Sequence, residues 1–572
     1  MSSSGPALSQ QARHPPSGSI STTSTDTGKF HLHKQDYDNV FKETAVPTQL
    51  LKTWASTFAH NLQIADRHLG NICTFNGMPF LSTSGQEWIK ACTGEDLHLE
   101  QCPNAELPHW QHSSTDPNGY ELPELGLLYR VIEQYDRSVF RLFFPILDPD
   151  LFESTIRTAY YGETSTVSPG LQSAKACVFA FIALASLVLH GTEGFSLKFS
   201  ARYVRAAHHF MPQAFHEPFT LDGLQAILLL CLCSQGLAAD FASIDHLLSA
   251  ASRFIYQLKG HLPAHTAWEN PTPVNYHVRH LFWIAYICDK GISLATGLAP
   301  ALEDAQCDLT FSVIPPETID DSRGRRHVYG DPYPGSYVHT YAHLALIQSR
   351  IHRNLYTPAA LKQPDADLLW AIRDLDHAVE EWKDSLPADI RPSFLQAVGN
   401  APGSVDMRFS VFHLQYHHCM VMIHQTSSRC ASWAQNHDTR TTSSSLAISV
   451  TASRSLLDRF LYFQLKLGPE NLLFVWPSYT FNCVADDGRF SLSYFLQASI
   501  NLFSNILSRP LDSGNQDDIR LIGMIAELIS NHHTVDGPLC YHAKIKFAAS
   551  AISELKRLAQ CAVDKANRES NG

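Results

Sequence analysis

The feature that most constrains the fold of this chain is a helical spacing of apolar residues that recurs along most of its length. It is clearest over residues 366–386, where one helix face is apolar, Asp365 is placed to cap the start and Pro387 follows the end. That face carries Leu368, Leu369, Ile372, Leu375, Val379, Trp382 and Leu386. The same spacing predicts helices over residues 122–144, 173–190, 198–211, 221–238, 242–259, 275–295, 337–355, 406–425, 446–467, 489–508, 517–532 and 541–563.

No segment sustains the apolar–polar alternation of a half-buried strand, so we predict an all-α fold, a large multi-helix domain with a disordered N-terminal tail. With 572 residues, 44% of them hydrophobic, the chain can bury a large core. Four parts are expected. Residues 1–45 form a disordered Ser/Thr/Pro-rich tail, and 46–120 form a loop-rich segment with one helix from Leu50 to Leu62. Residues 121–400 form the main helical domain, on which a C-terminal helical part, residues 401–572, packs.

Charge and cysteine usage narrow the class of protein. The net charge of −12 argues against broad electrostatic binding of nucleic acid. The basic cluster at residues 323–327 is interpreted as a solvated loop, with a phosphate or import role as the alternative.

The thirteen dispersed cysteines and the lack of a secretory signal predict reduced, buried thiols inside the cell. The longest apolar run, Cys177 to Leu189, is too short to cross a bilayer and predicts a core helix, so no membrane partner is expected.

The motifs of common enzyme classes are incomplete in this sequence. Gly194 to Lys198 lacks the second glycine of a nucleophile elbow, and neither a dinucleotide-binding nor a P-loop glycine pattern occurs. His216-Glu217 is followed by Pro218 and has no second histidine at the zincin spacing. We therefore predict no catalytic residues, no cofactor and no enzymatic activity.

Two histidines raise the question of a metal site. His413 and His417 are four residues apart on one predicted helix, so their side chains lie on the same face and could share a metal ion. The simpler interpretation, which we favour, is that they are partly buried histidines hydrogen-bonded to neighbouring groups. His413 and His417 are the only metal candidates that we retain.

A zinc-cluster DNA-binding module needs six cysteines within about thirty residues, with lysines and arginines between them. No segment from Met1 to Gly572 has this pattern. The closest pair, Cys231 and Cys233, lies in an apolar stretch and is interpreted as core packing. No DNA-binding residues are identified.

One stretch nevertheless resembles a known family. Residues 278–308 read VRHLFWIAYICDKGISLATGLAPALEDAQCD, similar to the characteristic segment of the fungal-specific transcription factor domain, the middle homology region of zinc-cluster (Zn2Cys6) transcription factors. The matching residues are Arg279, Phe282, Trp283, Asp289, Lys290, Gly297, Pro300, Cys307 and Asp308. Ala295 and Leu298 depart from the family, which often has basic or polar residues there.

Flanking segments extend the resemblance over residues 70–510. Residues 140–152 (FRLFFPILDPDLF) resemble a family motif carried by Phe144, Pro145 and Asp148. The helix ending in Trp382 and Leu386-Pro387, and the histidine-rich segment 413–424, are also similar to family segments. For all of these motif residues a structural role is expected.

The resemblance implies a transcriptional regulator in the nucleus, for a fungal metabolic or secondary-metabolite pathway, made of the regulatory body without its own zinc cluster. Its implied partners are the transcription machinery or a DNA-binding partner, a small-molecule effector and a second copy in a homodimer. Whether a DNA-binding module is encoded upstream stays open. The alternative function is a small-molecule-binding or catalytic protein on the same scaffold, and a third is DNA binding through an unrecognised basic face.

Overall fold

The computed structural model describes residues 60–64, 67–72, 83–98, 120–138, 145–189, 197–238, 241–311, 318–320, 326–328, 337–388, 390–394, 407–430, 440–466, 492–531 and 539–571. All of them lie in one compact unit, Trp54–Gly572. The predicted tail at residues 1–45 and the motif residue Phe144 lie outside the described residues.

Sixteen α-helices occur in the described part of the chain, and the prediction of an all-α fold is confirmed. They are α1 (Thr83–Thr93), α2 (Leu125–Arg137), α3 (Pro149–Tyr161), α4 (Leu171–Val188), α5 (Leu197–Ala214), α6 (Leu221–Ala238), α7 (Phe241–Gln257), α8 (Ala264–Ala267), α9 (Pro273–Thr296), α10 (Tyr337–Ile351), α11 (Asp365–Ser385), α12 (Met407–His424), α13 (Arg440–Lys466), α14 (Leu492–Ser508), α15 (Asn515–Asn531) and α16 (Leu539–Asn571). A π-helical turn, His352–Tyr356, extends α10.

Two short antiparallel ribbons accompany the helices in the same described part of the chain. Strand β1 (His60–Ile64) pairs with β2 (Arg67–Ile72), and β3 (Thr318–Asp320) pairs with β4 (Arg326–Val328). The helix predicted from Leu50 to Leu62 is therefore wrong at its end, where the backbone enters β1. Arg326 and His327, predicted in a loop, lie on β4. Strands of three to six residues are too short to show a sustained alternation in the sequence.

Three helices fall where no helix was predicted, and the shortest of them is α8, between the predicted helices 242–259 and 275–295. Helix α1 lies within the segment that was predicted to be loop-rich, and α3 follows the Phe144-Pro145 break, after which no helix was predicted. Helix α3 begins at a strong local signal: the Asp148 carboxylate accepts hydrogen bonds from the N–H groups of Asp150 and Leu151, at 3.0 and 3.1 Å. Pro149 occupies the first position, where its missing N–H costs nothing, and Gly162 ends the helix with φ of 71°.

The centre of the core is formed by helices that are apolar on nearly all sides. Helix α4 packs against α3, α5 and α6, and the described side chains of α4 and α6 are almost all buried. Because such a helix has no polar face to present to water, it must be surrounded by other helices. Cys231 and Cys233 of α6 are buried in this core, as predicted. In the C-terminal half, α12 packs against α13, and α16 packs against α14 and α15.

The first and last helices of the described chain are joined. Glu554 of α16 accepts a hydrogen bond from the N–H of His98 at 2.8 Å, and Lys565 donates to the Ala91 carbonyl at 2.8 Å. Helix α1 is thereby fastened to α16 across more than 450 positions of sequence. Within the described residues, no helix is both long enough and apolar enough to cross a membrane.

Candidate functional site: the buried charge network of helix α9

Helix α9 carries most of the motif residues and runs through the interior. Its start is fixed by a capping box between Thr272 and Asn275, with Pro273 at the first position. From His277 to Thr296 every residue is buried. Asp289 and Lys290 lie within the helix, which continues seven residues beyond Asp289. The end is at Gly297, whose φ of 76° favours glycine.

Arg279 connects α9 to the segment that follows it. Its side chain is 1% exposed, and its guanidinium donates to the carbonyls of Gly260, Asp308 and Thr310 at 3.4, 2.9 and 3.3 Å. The same guanidinium lies 4.8 Å from the Phe282 ring centre and 5.0 Å from that of Trp283. A planar cation with five donors can bridge carbonyls and stack on aromatic rings simultaneously, so Arg279 fits this position better than lysine would.

Asp289 closes the turn after α9. One of its carboxylate oxygens accepts from the N–H of Ala301 at 2.7 Å and the other from the N–H of Leu302 at 3.1 Å. Burial raises the pKa of Asp289, while Lys290 and these two N–H groups act in the opposite direction by stabilising the carboxylate. Asp289 therefore holds the 301–302 backbone against the helix.

Lys290 is almost fully buried and has two acidic neighbours. Its ammonium lies 3.2 Å from Asp289 Oδ2 and 3.3 Å from Asp304 Oδ1, and it donates to the Leu302 carbonyl. It also lies 4.8 Å from the Tyr286 ring centre. Two carboxylates, a carbonyl and an aromatic face together compensate for the loss of water around the charge.

Asp304 links this network to the next helix. It accepts hydrogen bonds from the Tyr286 hydroxyl at 2.9 Å and the Ser349 hydroxyl at 2.7 Å, and it pairs with Arg353 at 3.2 Å. Although burial opposes ionisation, Lys290 and the two hydroxyl groups lower the pKa of Asp304. Asp304 thus joins α9, α10 and the π-helical turn. We call Asp289, Lys290, Asp304 and Arg353 the α9 network.

The remaining motif residues surround the α9 network. Pro300 lies in the turn closed by Asp289, and Asp308 accepts from the N–H of Thr310 at 2.9 Å. Cys307 lies 3.9 Å from the Tyr256 hydroxyl, and burial raises the pKa of its thiol.

The upstream motif is tied to the start of α9. The Ile146 carbonyl, directly after Pro145, accepts from the His277 ring at 2.9 Å and from the Gln225 amide at 3.1 Å. The motif containing Pro145 and Asp148 is therefore anchored on α6 and α9 in the same core.

The metal candidates lie apart from the α9 network, on α12. Both His413 and His417 are buried, and the His413 ring is 3.1 Å from the Ile390 carbonyl. In the part of the chain that the structure describes, no group of three or more histidines, cysteines and carboxylates is placed to hold a metal ion. The two histidines alone lack the ligands that a structural zinc site needs.

A surface groove adjoins the α9 network. Its volume is about 540 Å³, and Arg353 connects it to Asp304. Its lining consists of Arg353, Asn354, Thr357, Ala359, Ala360, Gln363, Asp367, Trp370 and Ala371. Trp370 is 66% exposed, which is unusual for an indole ring. The groove gives the network one connection to the protein surface.

Sequence reasoning missed two parts of the site. Ser349 and Arg353 reach Asp304 because they are four residues apart on one face of α10 and its π-helical turn, but nothing in their local sequence indicates that partner. The buried Asp222 was missed as well; it accepts from Thr155 at 2.6 Å and from Ser168, and burial raises its pKa to about 6.

The motif side chains join backbone segments: Arg279 bridges three carbonyls, and Asp289 and Lys290 hold the 301–302 backbone against α9. The fold and the site together define a helical scaffold domain in which buried charged residues bind the core helix α9 to the turn and the helix that follow it. Residues 137–384 match the fungal specific transcription factor domain, and the resemblance seen in the sequence is confirmed over these residues.

Curated relatives are regulators of transcription by name. An ABC-transporter-regulating transcription factor from Aspergillus oryzae is 24% identical over 99% of this chain and 62% of the relative. A protein of the same name from Aspergillus fumigatus is 28% identical over 61% of this chain and 37% of the relative. An uncharacterized transcriptional regulatory protein of Schizosaccharomyces pombe is 23% identical over 50% of this chain. The chain thus spans less than two thirds of these relatives, and no solved structure matches it.

Proposed function

We propose that this protein is a nuclear regulator of transcription that acts through its helical body. The observation that carries the proposal is the α9 network. Its charged side chains, which lie within the matched domain at 137–384, form ion pairs with one another and so stabilise the interior of that domain. A site built for catalysis would instead present such groups to a cleft. The protein is therefore proposed not to be an enzyme.

The body would regulate by adopting two arrangements whose balance a bound molecule shifts. The α9 network suits such a role because it joins α9, the 301–304 turn and α10 through few, strong polar contacts. A partner from the transcription machinery, or one that binds DNA, would recognise one of the two arrangements. A second copy of the chain is a further proposed partner.

Two classes of target gene are proposed. Genes of a metabolic or secondary-metabolite pathway follow from the resemblance in the sequence, and genes for ABC transporters follow from the names of the two Aspergillus relatives. The rival function is a small-molecule-binding or catalytic protein built on the same helices.

The experiment that tests the proposal combines promoter occupancy with transcript profiling in the fungus that encodes the protein. The tagged chain is expected in the nucleus and at promoters whose transcripts change when its gene is deleted. The identity of those transcripts separates transporter genes from pathway genes. A cytoplasmic protein whose deletion changes a metabolite but no transcript would favour the rival function.

A further inference from the structure

The groove beside the α9 network presents an indole ring to solvent. Trp370 has an exposed fraction of 66%, the largest of any large hydrophobic side chain in the described residues. Among those residues, no aromatic ring and no cation contacts it. Tryptophan side chains are concentrated in the parts of protein interfaces that contribute most to binding. An exposed tryptophan that lines a groove therefore indicates a docking surface.

A second exposed indole shows how this protein covers such a ring. Trp268 is 37% exposed, and the Lys259 ammonium lies 4.4 Å from its ring centre. Lys259 has a φ of 59°, a backbone conformation that residues other than glycine rarely adopt. One exposed indole is thus covered by a cation from the chain itself, whereas the indole of Trp370 has none from the described residues.

The lining of the groove carries one uncompensated charge, and it is negative. Asp367 lies three residues before Trp370 on α11, so the two side chains are on the same side of the helix. Asp367 is exposed and forms no ion pair within the described residues. The cation of the lining, Arg353, is already paired with Asp304 at 3.2 Å. The net charge of −12 also favours the approach of a basic segment.

The shape and the polar groups of the groove suit a stretch of extended chain. Its volume of about 540 Å³ lies on the surface, so a ligand there is not enclosed. The Gln363 side chain donates to the Asn354 carbonyl at 3.2 Å, which leaves its Oε1 available as an acceptor. The Asn354 side-chain amide adds both a donor and an acceptor. A peptide backbone presents N–H and C=O groups in alternation and can use both.

From these features we propose that the groove between α11 and the π-helical turn docks an arginine-bearing segment of a partner protein. The guanidinium stacks on the indole of Trp370 and forms a bidentate pair with the Asp367 carboxylate. A planar guanidinium makes both contacts at once, which the ammonium of lysine does not. The backbone of the segment pairs with the amides of Asn354 and Gln363. This surface goes beyond the proposed function, and its test measures binding alone.

The test follows Trp370 by fluorine NMR in the full chain, with fluorotryptophan in place of its nine tryptophans. Trp370→Phe and Trp268→Phe assign the two signals, because each removes one of them. The probe is the capped peptide acetyl-Gly-Ala-Arg-Ala-Gly-amide, and matched peptides carry glutamine or glutamate at the centre. The arginine peptide should shift the Trp370 signal saturably, with about tenfold higher affinity than the glutamine peptide. The Trp268 signal should not move, since Lys259 already covers that ring.

Two variants locate the binding in the groove. Asp367→Asn removes the negative charge and should weaken binding of the arginine peptide about threefold. Ala359→Phe fills the groove from an exposed position whose φ of −72° and ψ of −45° any residue adopts, so it should abolish binding. The matched control is Asp517→Asn, an exposed aspartate on α15 whose replacement should leave the affinity unchanged.

Four results would overturn the proposal. The first is a larger shift with the glutamate peptide than with the arginine peptide, because the groove then takes an anion. The second is equal affinity for the arginine and glutamine peptides, because no charge is then recognised. The third is equal affinity in the wild type and Asp367→Asn. The fourth is binding of free L-arginine as tight as that of the peptide, since the groove is then a site for a small molecule.

Discussion

Asp289 and Lys290 are adjacent in sequence and both buried, with 3.2 Å between Lys290 Nζ and Asp289 Oδ2. Successive side chains of a helix point about 100° apart, so the two residues contact the following turn from two directions. Asp289 holds the N–H groups of Ala301 and Leu302, and Lys290 holds the Leu302 carbonyl. The pair therefore converts a flexible connection after α9 into a fixed part of the core.

Replacing Asp289 with asparagine should strongly destabilise the protein. The substitution leaves Lys290 buried with one carboxylate fewer, which should lower the free energy of unfolding by on the order of 3 kcal/mol. The midpoint of urea unfolding measures this. Asp517→Asn is the matched control, because the Asp517–Arg520 pair is exposed and should change stability by less than about 0.5 kcal/mol. Equal midpoints for the two variants would contradict the α9 network.

Replacing Arg279 with lysine should also destabilise, although the charge is kept. Lysine cannot reach three carbonyls and stack on two rings at once, so the expected loss is about 2 kcal/mol. The same unfolding experiment applies, with the exposed Arg253→Lys as control. An Arg279→Lys protein as stable as wild type would show that Arg279 contributes only its charge.

Asp222 should make stability depend on pH. Burial raises its pKa from 3.8 to about 6 in the folded protein, so the folded state binds a proton more tightly than the unfolded state. The protonated Asp222 carboxyl therefore stabilises the folded state fully below about pH 4. As the pH rises through about 6 this stabilisation is lost, and the free energy of unfolding falls by on the order of 2–3 kcal/mol. Asp222→Asn does not titrate and should lack this loss. Urea unfolding at a series of pH values compares the two proteins, and parallel pH profiles would contradict the assignment.

The contact between α1 and α16 should depend on Glu554. Glu554→Gln weakens the bonds to the His98 N–H and to Arg557, so amide hydrogen exchange over residues 83–98 should become about tenfold faster. Asp564→Asn on the same helix is the control, since Asp564 is exposed and its carboxylate accepts a hydrogen bond from Gln560 of the same helix. Unchanged exchange in Glu554→Gln would mean that α1 is held by apolar contacts instead.

The sequence predicted the long helices well because their apolar faces repeat over many turns. Helix α6 occupies the predicted residues 221–238, and α11 begins and ends within one residue of its prediction. The prediction that Asp365 is the N-cap residue of α11 was wrong. Asp365 is the first helical residue after Pro364, and its charge suits the positive end of the helix dipole.

The site was predicted only in part. Arg279, Asp289 and Lys290 could be named from the family motif, because they follow one another along a single helix. Their partners Ser349 and Arg353 belong to α10 and its π-helical turn, and no short-range pattern connects them to Asp304. Long-range contacts of this kind depend on how helices pack, which spacing along the chain does not specify.

The central claim, that the helical body regulates transcription, is tested most directly by fusing the 572-residue chain to a heterologous DNA-binding module and measuring a reporter gene in fungal cells. The fusion is predicted to change reporter output several-fold relative to the DNA-binding module alone. Arg353→Gln removes the ion pair between Arg353 and Asp304 and is predicted to change the reporter output of the fusion. Arg520→Gln removes an exposed ion pair outside the α9 network and is predicted to leave that output unchanged. Reporter output equal to that of the module alone, with the fusion protein present in the nucleus, would contradict the account.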